Sequence, residues 1–251
     1  MAQQRLDKII ASTGRYSRRE VKTLVREGRV LVDGRIAASA EDKCDPLTAC
    51  ISVNGEELFY REHTYVMLHK PAGVLSATED GRGETVLDLL APEYRKIGLF
   101  PVGRLDKDTE GLLLLTDDGA LAHDLLAPKK HVDKVYFVRT DGALDDADCK
   151  AFEQGITLGD GLECLPAKLE ILKSDAQSEA LITIREGKFH QIKRMLASRG
   201  KPVVYLKRLS MGSLTLDEGL SKGEYRLLTA EEIKNLRESG QFAQGKAGAD
   251  K

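Results

Sequence analysis

The first part of the chain shows two stretches of helical apolar spacing followed by an alternating stretch. Leu6, Ile9 and Ile10 fit one face of a short helix. A second helix is predicted after Ser17, because Glu20 follows three residues later and the two side chains can form a capping box. Val21, Leu24 and Val25 form the apolar face of this helix, and Gly28 can end it. Asp33 and Gly34 favour a tight turn after it. This pattern predicts a helix, a capped helix and a hairpin.

Beyond Tyr65 the apolar positions follow a strand pattern instead. "YVMLHKPAGVLSAT" indicates a strand that is broken at Pro71 and Gly73. Strands are predicted around residues 65–69, 112–116, 134–139, 166–172 and 180–185. Because these strands do not alternate regularly with helices, we expect an α+β domain with a mixed, largely antiparallel sheet and helices packed against it.

These patterns divide the chain into three segments. We expect a small domain at residues 1–60 and a larger domain at residues 61–238. The final stretch "ESGQFAQGKAGADK" lacks apolar periodicity, so a flexible tail is expected at residues 239–251.

Composition narrows the functional classes only in part. The 251 residues carry a net charge of −2, so overall charge does not indicate a nucleic-acid partner and local clusters must decide. No apolar run approaches the roughly 20 residues of a membrane span, and "MAQQRLDKII" lacks the apolar core of a signal peptide. Four scattered cysteines disfavour a disulfide framework or a zinc site, namely Cys44, Cys50, Cys149 and Cys164. We therefore expect a cytoplasmic protein that has no membrane partner.

Positive charge concentrates near the N-terminus, where residues 5–35 contain nine basic and four acidic side chains. Such a density can neutralise RNA phosphates, although a solvated helix face carries charge in the same way. With its order of helix, helix and hairpin, "RLDKIIAS…SRREVKTLVREGRVLVDG" resembles the S4 RNA-binding domain over about residues 3–50. The resemblance implies that four side chains face RNA phosphates, namely Arg18, Arg19, Lys22 and Arg26.

The stretch "GRLDKDTEGLLLLTDDG" at residues 103–119 allows three interpretations. Its acidic residues nearly match a calcium loop, but Asp117 stands where a bidentate glutamate is needed. The preceding "IGLFPVGRL", with two glycines and a proline, also does not suit the helix that such a loop requires. A second interpretation is purely structural, with glycines in turns and "GLLLLT" as a buried central strand.

The third interpretation is chemical. Arg104 and Asp106 can point the same way while Leu105 is buried, and a carboxylate held beside a cation can act as nucleophile or base. "PVGRLDKDTEGLLLLTDDG" resembles the signature of the RsuA-type pseudouridine synthases, which implies that Asp106 is the catalytic aspartate. The other acids of the stretch are expected to be turn and surface residues, namely Asp108, Glu110, Asp117 and Asp118.

Two further stretches carry the same resemblance. In "HVDKVYFVRT" it implies that Tyr136 stacks on the target base, although a core tyrosine would show the same pattern. "REGKFHQIKRM" runs into the segment Gly187–Arg208, which contains seven basic residues and no acid. This segment is either a phosphate-facing patch or a solvated face. The resemblance places Lys193 as the basic partner of the aspartate and Leu206 under the tyrosine. Further contacts to the flipped nucleotide or to RNA phosphates are expected from Arg104, Lys188 and Arg194.

The resemblance spans about residues 3–238 and implies an isomerase that converts a ribosomal RNA uridine into pseudouridine without a cofactor or metal. "APKKHVDKVYFV" and "GLECLPAKLEIL" favour the branch that acts on uridine 516 of 16S ribosomal RNA, with a 23S enzyme as the alternative. The expected partner is a small-subunit assembly intermediate, and the protein is expected to be a monomer. A different class, a non-catalytic S4-type assembly factor, also stays open, although such a protein would be free to lose Asp106, Tyr136 and Lys193.

Overall fold

The computed structural model describes residues 3–241, and their contacts cluster into two units. The first unit comprises the described residues up to Thr64 together with Leu90–Leu99. The second comprises Tyr65–Leu89 and the described residues from Phe100 onward. The segment 90–99 therefore belongs to the first unit although its chain neighbours on both sides belong to the second.

The first unit has the layout that the apolar pattern predicts. Its helices are α1 (Leu6–Ala11), α2 (Arg18–Arg26) and α3 (Pro92–Ile97). Its strands are β1 (Gln4–Arg5), β2 (Val30–Val32), β3 (Arg35–Ile36), β4 (Lys43–Cys44), β5 (Ile51–Val53) and β6 (Glu56–Leu58). The predicted capping box is confirmed, since the Ser17 hydroxyl accepts from the Glu20 N–H at 3.2 Å and the Glu20 carboxylate accepts from the Ser17 N–H at 2.6 Å. Asp33 and Gly34, with φ of 51° and 76°, form the predicted turn between β2 and β3.

The core of this unit lies between its two N-terminal helices and the β3-β2-β5-β6 sheet. Burial of one face of α2 leaves its basic side chains exposed, namely Arg18, Arg19, Lys22 and Arg26. The turn between α1 and α2 lies against α3. At Gly14, where φ is 75°, an added Cβ would collide with the backbone carbonyl of Glu93, so the close approach of α3 requires glycine there.

The second unit is an α+β domain built on one large sheet. Its helices are α4 (Gly119–Leu126), α5 (Asp146–Gln154), α6 (Gln191–Ser198) and α7 (Ala230–Gln241). Its strands are β7 (Tyr65–Lys70), β8 (Phe100–Pro101), β9 (Glu110–Thr116), β10 (Lys134–Asp141), β11 (Ile156–Thr157), β12 (Glu163–Cys164), β13 (Lys168–Lys173), β14 (Gln177–Ile184), β15 (Val203–Met211), β16 (Leu214–Thr215) and β17 (Tyr225–Leu227). A short 3-10 turn occupies Pro128–Lys130.

The large sheet has the strand order β13-β14-β10-β15-β9-β7-β17, with β16 paired to β15 and β8 paired to β9. Pairing is antiparallel except between β9 and β15, which makes the sheet mixed and largely antiparallel, as predicted. At the parallel contact Gly111 has φ of 105°, and an added Cβ would collide with the backbone of Arg208. The predicted strand "GLLLLT" is confirmed as the fully buried β9, which leads directly away from the loop that carries Asp106.

The prediction that the other acids of this stretch are turn and surface residues is wrong for Glu110 and Asp118. Glu110 is 7% exposed and begins β9, where its carboxylate accepts from the Tyr205 hydroxyl at 2.7 Å and pairs with Lys222 at 2.9 Å. Asp118 is 4% exposed and caps α4 by accepting from the Leu121 N–H at 3.0 Å. Both carboxylates are buried because hydrogen bonds and a cation replace their water.

The described chain ends in α7. The flexible tail was expected at residues 239–251, of which 239–241 belong to this helix and 242–251 lie outside the described residues. No helix in the described part of the chain is long and apolar enough to cross a membrane.

Candidate active site

Asp106 lies on the loop between β8 and β9, and a buried serine holds the backbone of this loop. Leu105 is 5% exposed, whereas Arg104 and Asp106 on either side of it reach the surface. The Ser76 hydroxyl donates to the Leu105 carbonyl at 2.8 Å and accepts from the Leu105 N–H at 3.1 Å. Since Ser76 is itself buried, water does not compete for these bonds. The loop is therefore fixed at the residue that precedes the aspartate.

A buried lysine holds the other side of the same loop. Lys70, at the end of β7, has no exposed surface, and its ammonium donates to the backbone carbonyls of Thr109 and Pro71, both at 2.9 Å, and of Lys107 at 3.2 Å. Burial lowers the pKa of Lys70 to about 8, and the carboxylates of Asp108, Asp106 and Glu110 oppose that shift. Lys70 and Ser76 together order the backbone on both sides of Asp106.

The Asp106 carboxylate is paired with a lysine from α6. Lys193 Nζ lies 2.9 Å from Asp106 Oδ2 and 2.6 Å from Asp108 Oδ1. Burial by itself would lower the pKa of Lys193, but hydrogen bonds to Asp108 and Asp106 raise it overall. The hydrogen bond from Lys193 lowers the pKa of Asp108. His190 Nε2 lies 3.6 Å from Asp106 Oδ1. Asp106 thus faces a lysine held in its charged form and an imidazole.

A cavity beside this ion pair brings the predicted site residues together. Arg104 and Asp106 from the loop, Lys193 from α6, Tyr136 from β10 and Leu206 from β15 all line it. Tyr136 and Leu206 are each 7% exposed, and β10 pairs with β15 in a register that aligns Val138 with Leu206. An aromatic ring and an aliphatic side chain thus form an apolar part of the wall of the cavity that the aspartate also lines. Such a wall can replace the stacking that a base loses when it leaves an RNA helix.

Two of the cations predicted to contact RNA are engaged within the second unit. Arg194 pairs with Asp160 at 2.6 Å. Lys188 lines the cavity and pairs with Glu186 at 3.0 Å, and it also donates to the Glu163 carbonyl. RNA phosphates would have to compete with these carboxylates. The other four cations predicted to contact RNA phosphates lie on α2, in the first unit.

The acids near Asp106 do not converge as a metal site would require. Asp106 and Asp108 share Lys193, while Glu110 bonds to Tyr205 and Lys222. The loop is flanked by strands β8 and β9, not by the helices of a calcium-binding hand. Within residues 3–241, no group of three or more His, Cys, Asp and Glu side chains is arranged to hold a metal ion.

Sequence reasoning missed the residues that hold the loop. Lys70 and Ser76 lie 37 and 29 residues away from the backbone groups they hold at Lys107 and Leu105. Both residues lie in the stretch "LHKPAGVLSAT", whose pattern predicts only a strand broken at Pro71 and Gly73. Nothing in the pattern singled out Phe189 or the left-handed backbone of His190, which has φ of 49°.

The chain is similar to known protein families over two stretches of its sequence. The family described as RNA pseudouridylate synthase matches residues 64–198, and the S4 domain matches residues 4–46. An uncharacterized RNA pseudouridine synthase of Bacillus subtilis is 51% identical over 93% of this chain and 98% of its own length.

Two relatives with named ribosomal subunits match almost equally well. Ribosomal small subunit pseudouridine synthase A of Vibrio cholerae is 40% identical over 92% of this chain and 99% of its own length. Ribosomal large subunit pseudouridine synthase B of Bacillus subtilis is 39% identical over 93% and 96%. A solved structure titled as a pseudouridylate synthase superposes with a TM-score of 0.65 at 37% identity, covering 93% of this chain and 99% of that one.

Proposed function

The chain belongs to the RNA pseudouridylate synthase family and is an RNA pseudouridine synthase, an isomerase with an S4 domain at its N-terminus. From this premise we propose that it modifies a uridine of 16S ribosomal RNA and that Asp106 is its catalytic residue. Tyr136 would stack on the flipped base and Lys193 would orient the carboxylate. One observation carries the assignment of residues: Asp106, Lys193 and Tyr136, which are distant in sequence, line one cavity.

The reaction needs little more than a placed carboxylate and a closed base pocket. The bond from uracil N1 to ribose C1′ breaks, a bond from C5 to C1′ forms, and a proton is lost from C5 while N1 gains one. No net oxidation or group transfer to another molecule takes place. Asp106 would act as a nucleophile, or as a base towards ribose, on a uridine that has left its stack. An adduct at C1′, an adduct at C6 and a glycal are all compatible with this placement.

The contacts of Asp106 suit either role. Lys193 keeps a positive charge 2.9 Å from the carboxylate, which attracts the carboxylate and orients it. Ser76 and Lys70 hold the backbone on both sides, so the loop that carries the carboxylate is already ordered when the substrate arrives. Arg104 lines the same cavity and is exposed, where it would contact the phosphate or ribose of the flipped nucleotide.

RNA binding would be shared between the two units. The exposed basic face of α2 in the S4 domain would bind phosphates without reading sequence, with Arg18, Arg19, Lys22 and Arg26 as its contacts. In the catalytic unit Lys188 and Arg194 would exchange their carboxylate partners for phosphates. We expect an activity in the cytoplasm, where such an enzyme would meet ribosomal RNA during small-subunit assembly.

The choice of 16S over 23S ribosomal RNA rests on few residues. "APKKHVDKVYFV" and "GLECLPAKLEIL" favour the small-subunit branch, whereas the relatives named for the two subunits are 40% and 39% identical. Incubating the full chain with unmodified 16S and 23S transcripts, each free and with bound ribosomal proteins, and mapping pseudouridine in each would test the choice. Pseudouridine in 16S RNA alone is expected, and product in 23S RNA alone would contradict the proposal.

A further inference from the structure

Resting on the proposed function, we propose that Phe189 stacks on a nucleobase that neighbours the target uridine and so determines how the substrate strand is held beside Asp106. The Phe189 side chain is 75% exposed, so it contributes little to the core although it is a large apolar group.

The ring is held in place although it is exposed. Phe189 stacks on His190 with ring centroids 3.8 Å apart and an interplanar angle of 20°. His190 adopts a left-handed backbone with φ of 49° and ψ of 33°, a conformation that is uncommon outside glycine and costs free energy. The backbone around the pair is fixed, since Lys188 N–H donates to Gln191 Oε1 at 3.1 Å and buried Gln191 donates to Glu186 at 2.7 Å. One face of the phenyl ring is covered by the imidazole, and the other face is open.

The position of the open face points to RNA. His190 Nε2 lies 3.6 Å from Asp106 Oδ1, so the phenyl ring is one stacked ring away from the proposed catalytic carboxylate. Phe189 lines a cavity of about 670 Å³ that borders the aspartate, and the charged side chains that share this wall are Arg104, Asp106, Lys107, Lys188 and Asp80. An aromatic face among mostly basic groups is the arrangement by which proteins bind single-stranded nucleic acid.

The occupant is a neighbouring base and not the target itself. The target uracil has its own apolar wall at Tyr136 and Leu206, which line the neighbouring cavity and not the one that Phe189 lines. Extrusion of the target leaves the adjacent bases without a stacking partner on one side. Phe189 lines a cavity that shares Arg104, Asp106 and His190 with the cavity of the target, so its flat face is close enough to receive such a base.

The test uses the full-length enzyme and the ribosomal transcript that it modifies. It also uses short strands from that transcript, in which an abasic residue replaces the nucleotide on the 5′ or the 3′ side of the target. Phe189→Ala should raise KM about 5- to 100-fold on the intact strand, since one base–aromatic stack is lost, with a smaller change in kcat. Phe189→Tyr, which keeps the flat ring, should stay near wild type. Leu172→Ala, which changes an exposed leucine on β13, should have no effect.

The abasic strands separate stacking from a structural role. Removing one of the two neighbouring bases should impair the wild-type enzyme by a similar factor and should not impair Phe189→Ala further. Equal activity of Phe189→Ala and wild type on the intact strand would overturn the inference, as would an additive loss on both abasic strands. Failure of the wild type to form pseudouridine in the 16S and 23S transcripts, both free and with bound ribosomal proteins, would instead overturn the proposed function, and this inference with it. Unfolding midpoints should match, because Phe189 is not in the core.

Discussion

Lys193 Nζ lies 2.9 Å from Asp106 Oδ2 and bridges this carboxylate to that of Asp108, 2.6 Å away on its other side. Asp106 and Lys193 side chains are 29% and 23% exposed, so the pair is only partly screened by water. Removing the Lys193 cation should therefore weaken this site more than the loss of a solvent-exposed ion pair would.

Lys193→Met should lower kcat about 30- to 100-fold, because the Asp106 carboxylate loses the cation that lies 2.9 Å away and orients it. Lys193→Arg, which keeps the charge with a different shape, should retain more activity than the methionine variant. Single-turnover rates with saturating enzyme measure both. Equal rates for Lys193→Met and wild type would show that the lysine does not assist the aspartate.

Ser76→Ala should destabilise the protein by about 1 to 3 kcal/mol, because the buried N–H and carbonyl of Leu105 both lose their partner. It should also lower kcat, since the loop that carries Asp106 is no longer fixed. Ser198→Ala is the matched control: its hydroxyl also donates to a backbone carbonyl, that of Met195 at 2.7 Å, but the residue is exposed at the end of α6. Urea unfolding compares the two, and an equal, small change in both would refute the role of Ser76.

Tyr136→Leu should weaken binding of substrate RNA about 5- to 100-fold, because the flipped uracil loses a flat ring. Tyr136→Phe keeps the ring and should bind like wild type. Measuring affinity in an Asp106→Asn background prevents conversion of the bound RNA during titration. If the leucine and phenylalanine variants bound equally well, the tyrosine would be an ordinary core residue.

The stability of the protein should depend on Lys134 above pH 8. Lys134 is 6% exposed and donates to the Val132 carbonyl at 3.2 Å, and burial followed by the charge of Arg208 lowers its pKa from 10.5 to about 8. Between about pH 8 and 10 the unfolded chain then binds more protons than the folded chain, so the free energy of unfolding rises with pH.

Lys134→Met removes that contribution. The difference in unfolding free energy, wild type minus variant, should grow by about 2 to 3 kcal/mol from pH 7.5 to pH 10. Lys168→Met should show no such growth, because Lys168 is exposed and its hydrogen bond to Glu170 raises its pKa. A flat difference for Lys134→Met would mean that the buried amine keeps its proton over this range.

Local patterns predicted the local structure. The capping box of Ser17 and Glu20, the turn at Asp33 and Gly34, and the buried strand β9 all depend on residues that are near one another in sequence. The convergence of Asp106, Tyr136 and Lys193 was accessible only through family resemblance, because the side chains come from a loop, a strand and a helix.

The remaining features depend on contacts that no local pattern contains. Glu110 and Asp118 resemble turn residues in sequence but are buried, because their partners come from elsewhere: Tyr205 and Lys222 for Glu110, and Tyr65 for Asp118. Segment 90–99 belongs to the first unit, where Glu93 closely approaches Gly14, a residue far earlier in the chain.

We propose that Asp106, and not its neighbour Asp108, performs the chemistry. Asp108 is the matched control, since it pairs with the same lysine but its side chain is 74% exposed. The direct measurement is the rate of pseudouridine formation in the 16S transcript by wild type, Asp106→Asn and Asp108→Asn, with RNA affinity measured in parallel. We predict that Asp106→Asn binds RNA normally and turns over at less than about a thousandth of the wild-type rate, whereas Asp108→Asn stays within about tenfold. Sustained turnover by Asp106→Asn would contradict the account.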